Sequence, residues 1–346
     1  MTETRKLTFM GAINEAIDQS MEQDENVILI GTDVSGGAGV KHIKDDDTFG
    51  GVFGVTKGLA KKYSRNRVID TPIAEHITLS AGVGAAATGL RPIAELMFND
   101  FLGFGLDPIL NQGAKMRYMF GGKAKIPLVV RTVHGAGAGA AAQHSQSLYN
   151  VFAAIPGVKV VVPSNPYDAK GLLMAAVQDD NLVVFSEDKT LLGQKGNVPE
   201  EPYTVDIGKA RVVREGEDLS IVAIGKMVAV AEETADRLKD DNISVEVIDL
   251  RTVSPWDEET VLTSVKKTGR LIVIDESNPQ CNVAGDIASV MGDRAFDYLD
   301  GPIKKVTAPD TPVPFAANLE QAYIPNADKV LDVAAELVDD LRKVKS

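Results

Sequence analysis

The sequence predicts an α/β fold of two doubly wound domains. Short apolar runs of strand length alternate with longer stretches of helical period, which is the βαβ rhythm of a parallel sheet covered by helices on both faces. The rhythm breaks once, between residues 188 and 210, and then resumes. The length, 346 residues, is also more than one hydrophobic core usually organises.

The first helix is expected over 9–23, where Ala12, Ile13, Ala16 and Ile17 recur at helical spacing. Strands are expected at 26–31, 67–71, 92–98, 126–132, 159–164 and 182–187, with helices at 109–120 and 165–180 among the connections. These elements form a first domain, 1–187. Residues 188–210 carry Gly, Pro and charge without apolar periodicity and read as a linker. A second domain, 211–346, repeats the rhythm with strands at 219–225, 244–250, 270–277 and 303–309. The stretch "SPWDEE" predicts a helix start, with Ser254 as cap, Pro255 in the first helical position and Asp257 as the acid of a capping box. An amphipathic helix over 326–344 closes the chain, and no tandem repeat is present.

Composition narrows the function classes. Hydrophobic residues at 44% and charged residues at 25% are a globular mix. A formal net charge of -13 argues against a nucleic-acid partner, which needs a basic surface. The single cysteine, Cys281, excludes an intrachain disulfide or a cysteine-cluster metal site and reads as a buried, inert thiol. The polar N-terminal stretch has no signal-peptide core, and the weakly polar run 77–90 is too short to span a bilayer. The expected location is the cytoplasm.

Two stretches could carry chemistry. The first, "RTVHGAGAGAAAQHSQS" (131–147), places G-x-G-x-x-A after a strand, as a dinucleotide loop does. Three features oppose an NAD-linked reading. The loop follows a late strand of its domain, no acid closes the next strand, and His134 and His144 flank the glycines. The four histidines, His42, His76, His134 and His144, lack the spacing of a helical zinc site, and His134 and His144 read as members of one polar pocket. The second stretch, "DTPIAEHITLSAGVGAAATG" (70–89), puts Glu75 near the start of a helix. There it is either a solvated first-turn acid or a functional carboxylate. The small residues that follow suit close approach by another helix or a ligand.

The order of motifs "DTPIAEH", "GLRPIAELMFNDF", "RYMFGGKAKIPLVVRT", "AGAAAQHSQS", "IPGVKVVVPSNPYDAKGLL", "VIDLRTVSPWDEETVLTSVKKTGRLIVIDE" and "KKVTAPDTPVPFA" covers essentially the whole chain. It resembles the β chain of the thiamine-diphosphate-dependent first component of 2-oxo acid dehydrogenase complexes. Within that transketolase-like family, "GGVFGVTKGL", "ELMFNDFLG", "RYMFGGKA" and "APDTPVPF" are similar to acetoin dehydrogenase β chains more than to the pyruvate and branched-chain forms.

The resemblance implies a pyrimidine-binding first domain, a transketolase C-terminal-like second domain, and thiamine diphosphate held between two chains. It implies that Glu75 hydrogen-bonds N1' of the aminopyrimidine and so activates the cofactor, and that Phe101 stacks on that ring. His144 is implied in proton transfer and in passing the two-carbon unit to lipoamide. His134 matches no family histidine and is read as a substrate-pocket residue. The family's acidic pair after Gly31 is Thr32–Asp33 here, which leaves Asp33 as the cofactor-side acid. Leu128, Ala176, Asp179 and Asn181 match positions that bind a structural potassium ion in some relatives. The chain has neither Gly-Asp-Gly nor a later Asn-Asn pair, the motif that holds the diphosphate through Mg²⁺. The resemblance therefore implies an α chain that supplies that half, in a heterotetramer of two α and two β chains. It also implies an acyltransferase core docked on the acidic C-terminal domain, in which "DVAAELVDDL" carries Asp339 and Asp340. The substrate follows as acetoin, cleaved to acetaldehyde and a unit passed to lipoamide as acetyl. Pyruvate or a branched 2-oxo acid is the alternative.

Overall fold

The computed structural model describes residues 4–36 and 49–345, with side chains described from Arg5 through Val338 within these ranges. The chain divides into two compact units. The first comprises Met1–His134 and Val151–Ile207, and the second Gly135–Asn150 and Gly208–Ser346. The chain thus leaves the first unit after His134, contributes a segment to the second, and returns.

The first unit contains β1 (Thr4–Thr8), β2 (Val27–Thr32), β3 (Val68–Thr71), β4 (Arg91–Phe98), β5 (Val129–His134), β6 (Lys159–Val161), β7 (Val183–Asp188) and β8 (Lys195–Pro199). Six of these lie side by side in the order β6-β7-β5-β4-β2-β3, all parallel. Every residue of β5 and β7 is buried, as expected of Val-rich strands covered on both faces. The helix Phe9–Gln23 forms as expected, and its buried stripe includes Ala12, Ile13, Ala16 and Ile17. It packs against the helix Pro166–Gln178, which opens with Asn165 accepting from Asp168 N–H and Pro166 in the first position.

Two local expectations change. The stretch 109–120 is not one helix. A short helix Leu102–Asp107 runs into a π-helical turn, Pro108–Gly113, and a separate turn of helix follows at Met116–Met119. Gly113 packs closely here: a Cβ would lie 2.5 Å from the Leu182 side chain. Residues 188–210 are also not free chain. Within them β8 pairs antiparallel with β1, Thr4 opposite Pro199 and Thr8 opposite Lys195. The pairing partner lies at the other end of the unit's sequence, where local periodicity carries no trace of it.

The second unit contains β9 (Arg211–Arg214), β10 (Leu219–Ala223), β11 (Val245–Asp249), β12 (Thr252–Ser254), β13 (Leu271–Asp275) and β14 (Lys304–Thr307). Its five-stranded sheet has the order β14-β13-β10-β11-β9, parallel except for the antiparallel edge strand β9. The helix after β12 is Glu258–Thr268, and its cap is Asp257, whose carboxylate accepts from Thr260 N–H. Ser254 is not the cap. It ends an extended strand, and the Ser254–Pro255 peptide that follows is cis. Cys281, expected inside, is exposed, with φ 49° just before the helix Val283–Arg294. Among the described residues no helix is long and apolar enough to cross a membrane.

The first sheet fixes where a ligand can sit. From β2 the chain moves outward to β3, and from β4 it moves the other way to β5. The β2/β4 pair is therefore the point where the winding reverses. Loops leaving adjacent strands there part to opposite faces and open a crevice at the carboxyl ends.

Candidate active site

Four of the first unit's sequence-predicted residues follow or close strands at that end of the sheet. Asp33 follows β2, Glu75 follows β3, Phe101 follows β4, and His134 closes β5. Gly31, near the end of β2, lets this happen: a Cβ there would lie 2.8 Å from the Glu95 and Val34 side chains. Asp33 is exposed with φ 57°, and its carbonyl accepts from Gly36 and Gly51 N–H, so the residue turns the chain at the mouth of the crevice. Asp70, not singled out from sequence, braces this turn by accepting from Ser35 N–H at 2.6 Å.

Glu75 is the first residue of the helix Glu75–Ala87, where the exposed backbone N–H groups favour a negative charge. It is half-buried, and among the described residues its carboxylate makes no hydrogen bond or ion pair. Near it in sequence Ile73 is 82% and Ile77 54% exposed, and Phe104 on the next helix is 67% exposed. The small-residue helix serves two purposes. Gly82 faces inward, where a Cβ would lie 3.0 Å from Leu128, whereas Gly84 faces open space beside exposed Ala81 and Ala87.

Phe101 lies at the turn into the helix Leu102–Asp107, and Gly105 of that helix allows its close approach to Leu79 of the Glu75 helix. Phe98 meets Phe101 edge to face at 6.1 Å and 84°, and Phe53 meets Phe98 at 5.7 Å and 73°. The buried Lys189 ammonium lies 5.5 Å from the centre of the Phe98 ring. The resemblance pointed to Phe101 but not to Phe98, Phe53 or Lys189 beside it.

Beneath the crevice is an ionic triad that sequence reasoning also missed. Arg131 on β5 donates through Nη1 to Glu95 on β4, and through Nε and Nη2 to Glu187 on β7; all three are buried. Burial opposes the Arg131 charge, and Glu187 and then Glu95 outweigh it, so the guanidinium is held firmly protonated. Glu187 is pushed above the usual carboxylate range by burial, against the pull of Arg131. A charged residue inside an apolar strand, as in "VVRTV", was the available signal.

His134 is 2% exposed. Its Nδ1 lies 2.8 Å from Ser186 Oγ and its Nε2 3.9 Å from Asp188 Oδ2. His144 belongs to the other unit, half-buried on the segment Gly135–Asn150. In that segment the N–H groups of Gly137 and Gly139 donate to Glu320, and that of Ala136 to Glu276. Side-chain carboxylates thus occupy the amide cradle that the dinucleotide reading assigned to a pyrophosphate, and that reading falls. His42 lies outside the described residues, as do the side chains of Asp339 and Asp340.

The potassium candidates lie together around the end of the Pro166–Gln178 helix and the start of β7. The Asp179 carboxylate is held by Lys159 and by the Asn181 side-chain and backbone N–H groups. The Leu128 carbonyl accepts from Val183 N–H, that of Ala176 from Asp179 N–H, and that of Asp179 from Arg91. Only second lone pairs on these carbonyls are left for a cation.

Residues 5–195 match the family described as transketolase, pyrimidine binding domain, and 208–330 match transketolase, C-terminal domain. The chain is 56% identical to the acetoin:2,6-dichlorophenolindophenol oxidoreductase subunit beta of Bacillus subtilis, covering 97% of this chain and 98% of that one. It is 52% identical to the protein of the same name from Cupriavidus necator, covering 95% and 97%. Identity is 43% to the pyruvate dehydrogenase E1 component subunit beta of Rhizobium meliloti, over 96% of this chain and 70% of that one. A solved structure titled "Split gene transketolase, inactive beta4 tetramer" aligns with a TM-score of 0.74 at 21% identity, over 96% and 98% of the two chains, and supports the fold. The chain belongs to the transketolase-type β subunits of the acetoin and 2-oxo acid dehydrogenase family.

Proposed function

We propose that this chain is the β subunit of an acetoin-cleaving dehydrogenase component that works only with an α chain. The observation that carries the reading is Glu75: a half-buried carboxylate, unengaged among the described residues, following β3 next to the winding reversal of a parallel sheet, with exposed Ile73 and Ile77 two residues to either side in sequence. Such a group suits one half of a site whose other half is another chain. Thiamine diphosphate, when bound, supplies a carbon nucleophile that cleaves the bond next to a carbonyl. The pyrimidine end fits this chain's residues, with Glu75 sharing a proton with ring nitrogen N1' and Phe101 lying against the ring. The diphosphate end and its Mg²⁺ belong to the α chain, since no Gly-Asp-Gly occurs here. His144 would hold or give the proton needed as the acyl unit passes to lipoamide, and His134 would be a substrate-pocket residue. A potassium ion, where bound, rests on the carbonyls of Leu128, Ala176 and Asp179 beside Asn181. The assembly is two α and two β chains in the cytoplasm, docked through the C-terminal domain on an acyltransferase core.

The 43% identity to a pyruvate dehydrogenase subunit supports the alternative of a 2-oxo acid substrate. An artificial-acceptor assay of the α/β complex with acetoin, pyruvate and branched 2-oxo acids separates the two. Acetoin is expected to be turned over fastest, and preference for a 2-oxo acid overturns the acetoin assignment. The isolated chain is expected neither to turn over substrate nor to bind thiamine diphosphate tightly.

A further inference from the structure

Gly135, Gly137 and Gly139 all have positive φ, at 97°, 107° and 67°. Alternation of this kind turns successive N–H groups toward one side and makes an anion cradle. The anion in it comes from the same chain. Glu320, on the helix Ala317–Tyr323 and 4% exposed, accepts from Gly137 N–H at 2.8 Å and from Gly139 N–H at 3.1 and 3.2 Å. Glu276, just past β13, accepts from Ala136 N–H at 2.7 Å. Lys226 Nζ bridges the pair, donating to the Ala136 carbonyl at 2.6 Å and to Glu276 at 2.8 Å. Ala136 also packs with Ala308, Val313 and Tyr323. At the far end of the segment the buried Tyr149 hydroxyl donates to Asp275, whose carboxylate is itself held by Ser277 and Ala284, and Asn150 donates to the Cys281 carbonyl at 3.0 Å. His144 lies between the two anchorages.

We propose that Glu320, with Glu276, is a positioning residue for His144. The second unit holds the glycine segment by its amides at one end and by Tyr149 at the other, and this sets where the imidazole stands. Charge-assisted bonds to a carboxylate are stronger than neutral ones, so a buried acid is a firmer anchor for loop amides than a carbonyl or water. The glycines are needed because residues with side chains seldom adopt these φ values. The proposal rests on the assignment of His144 to acyl transfer made above.

The test uses the α/β complex with Glu320→Ala, Glu320→Gln and His144→Ala. Hydrogen exchange of peptides spanning 135–147 reads the anchorage, and lipoamide acylation reads its consequence. Glu320→Ala is expected to speed exchange in that segment alone by about tenfold, the equivalent of about 1.4 kcal/mol. It is also expected to lower kcat for acylation by about tenfold, with the KM for thiamine diphosphate unchanged. Glu320→Gln keeps one acceptor oxygen but loses the charge, and is expected to speed exchange in the segment and slow acylation by about threefold, between wild type and Glu320→Ala; it is the decisive variant should the alanine form not fold. Exchange that stays at the wild-type rate in folded Glu320→Ala and Glu320→Gln overturns the anchorage. Faster local exchange with undiminished acylation, while His144→Ala abolishes acylation, overturns the positioning role. Normal acylation by His144→Ala overturns the reading of His144, and the exchange result then still decides whether Glu320 anchors the segment.

Discussion

The hydroxyl of Ser186 lies 2.8 Å from Nδ1 of His134, both buried at the carboxyl ends of β7 and β5. Asp188, two residues further along β7, shares the face of Ser186, so the ring has a polar group near each nitrogen. Ser186→Ala removes one buried hydrogen bond and is expected to cost about 1–2 kcal/mol. Thermal unfolding should register this as a midpoint lower by roughly 2–8 °C. An unchanged midpoint would mean that the bond contributes nothing net.

Arg131 makes a stronger prediction. Arg131→Met leaves Glu95 and Glu187 facing one another in the dry interior, at an expected cost of about 3–5 kcal/mol, read by denaturant unfolding. The pH dependence follows from Glu187. Its folded pKa lies above the unfolded value, so above the ordinary glutamate range the unfolded chain has released a proton that the folded chain keeps. Its contribution is full below the unfolded pKa and is lost as pH rises through the folded one. Stability curves of wild type and Glu187→Gln should therefore diverge, the wild type losing ground as pH climbs from about 4.3. Parallel curves would contradict the assignment.

Lys170 is wholly buried and donates to Glu15 at 2.6 Å and to the carbonyls of Pro199, Glu200 and Glu201. It ties the Pro166–Gln178 helix to the Phe9–Gln23 helix and to the end of β8. Lys170→Met strands three carbonyls and leaves Glu15 with Arg5 as its remaining partner, and should lower stability by about 1–3 kcal/mol. Hydrogen exchange should quicken first at 195–201. Uniform quickening across the first unit would instead point to general loosening.

Glu75→Gln in the α/β complex should nearly abolish turnover while leaving the thermal midpoint within about 1 °C, as surface substitutions usually do. A near-normal rate would remove Glu75 from activation.

Phe98→Leu takes away the ring against which Phe101 stands. The KM for thiamine diphosphate should rise about two- to tenfold, the equivalent of an aromatic pair, with kcat less affected. Phe98→Tyr keeps the ring edge and should restore the KM, whereas equal loss in both variants would indicate simple misfolding.

What could be read beforehand follows the range of the forces involved. Both parallel sheets were legible because buried strands are short Val and Ile runs, and the Phe9 helix because its apolar stripe has a helical period. The β1–β8 ribbon was not, since its partners lie at opposite ends of the unit's sequence. Glu75 and Phe101 were named through resemblance, and the sheet's winding then accounts for their shared edge. Glu95, Arg131, Glu187, Glu276 and Glu320 were passed over because each looks ordinary until a partner from another strand or helix is beside it. The glycine run has the form of a dinucleotide loop but reads against that function; only folding reveals that Glu320 takes its amides.

The segment Gly135–Asn150 also bears on how the chain can be divided. A cut at residue 207 looks natural on the linear map, yet it severs an interlock. A fragment ending there keeps Tyr149 without Asp275, and the fragment that follows keeps Glu320 and Glu276 with no amides to hold. Neither piece is a finished module. Gene fission at this point, or a swap of the second unit from a distant relative, would have to carry residues 135–150 along with the C-terminal half.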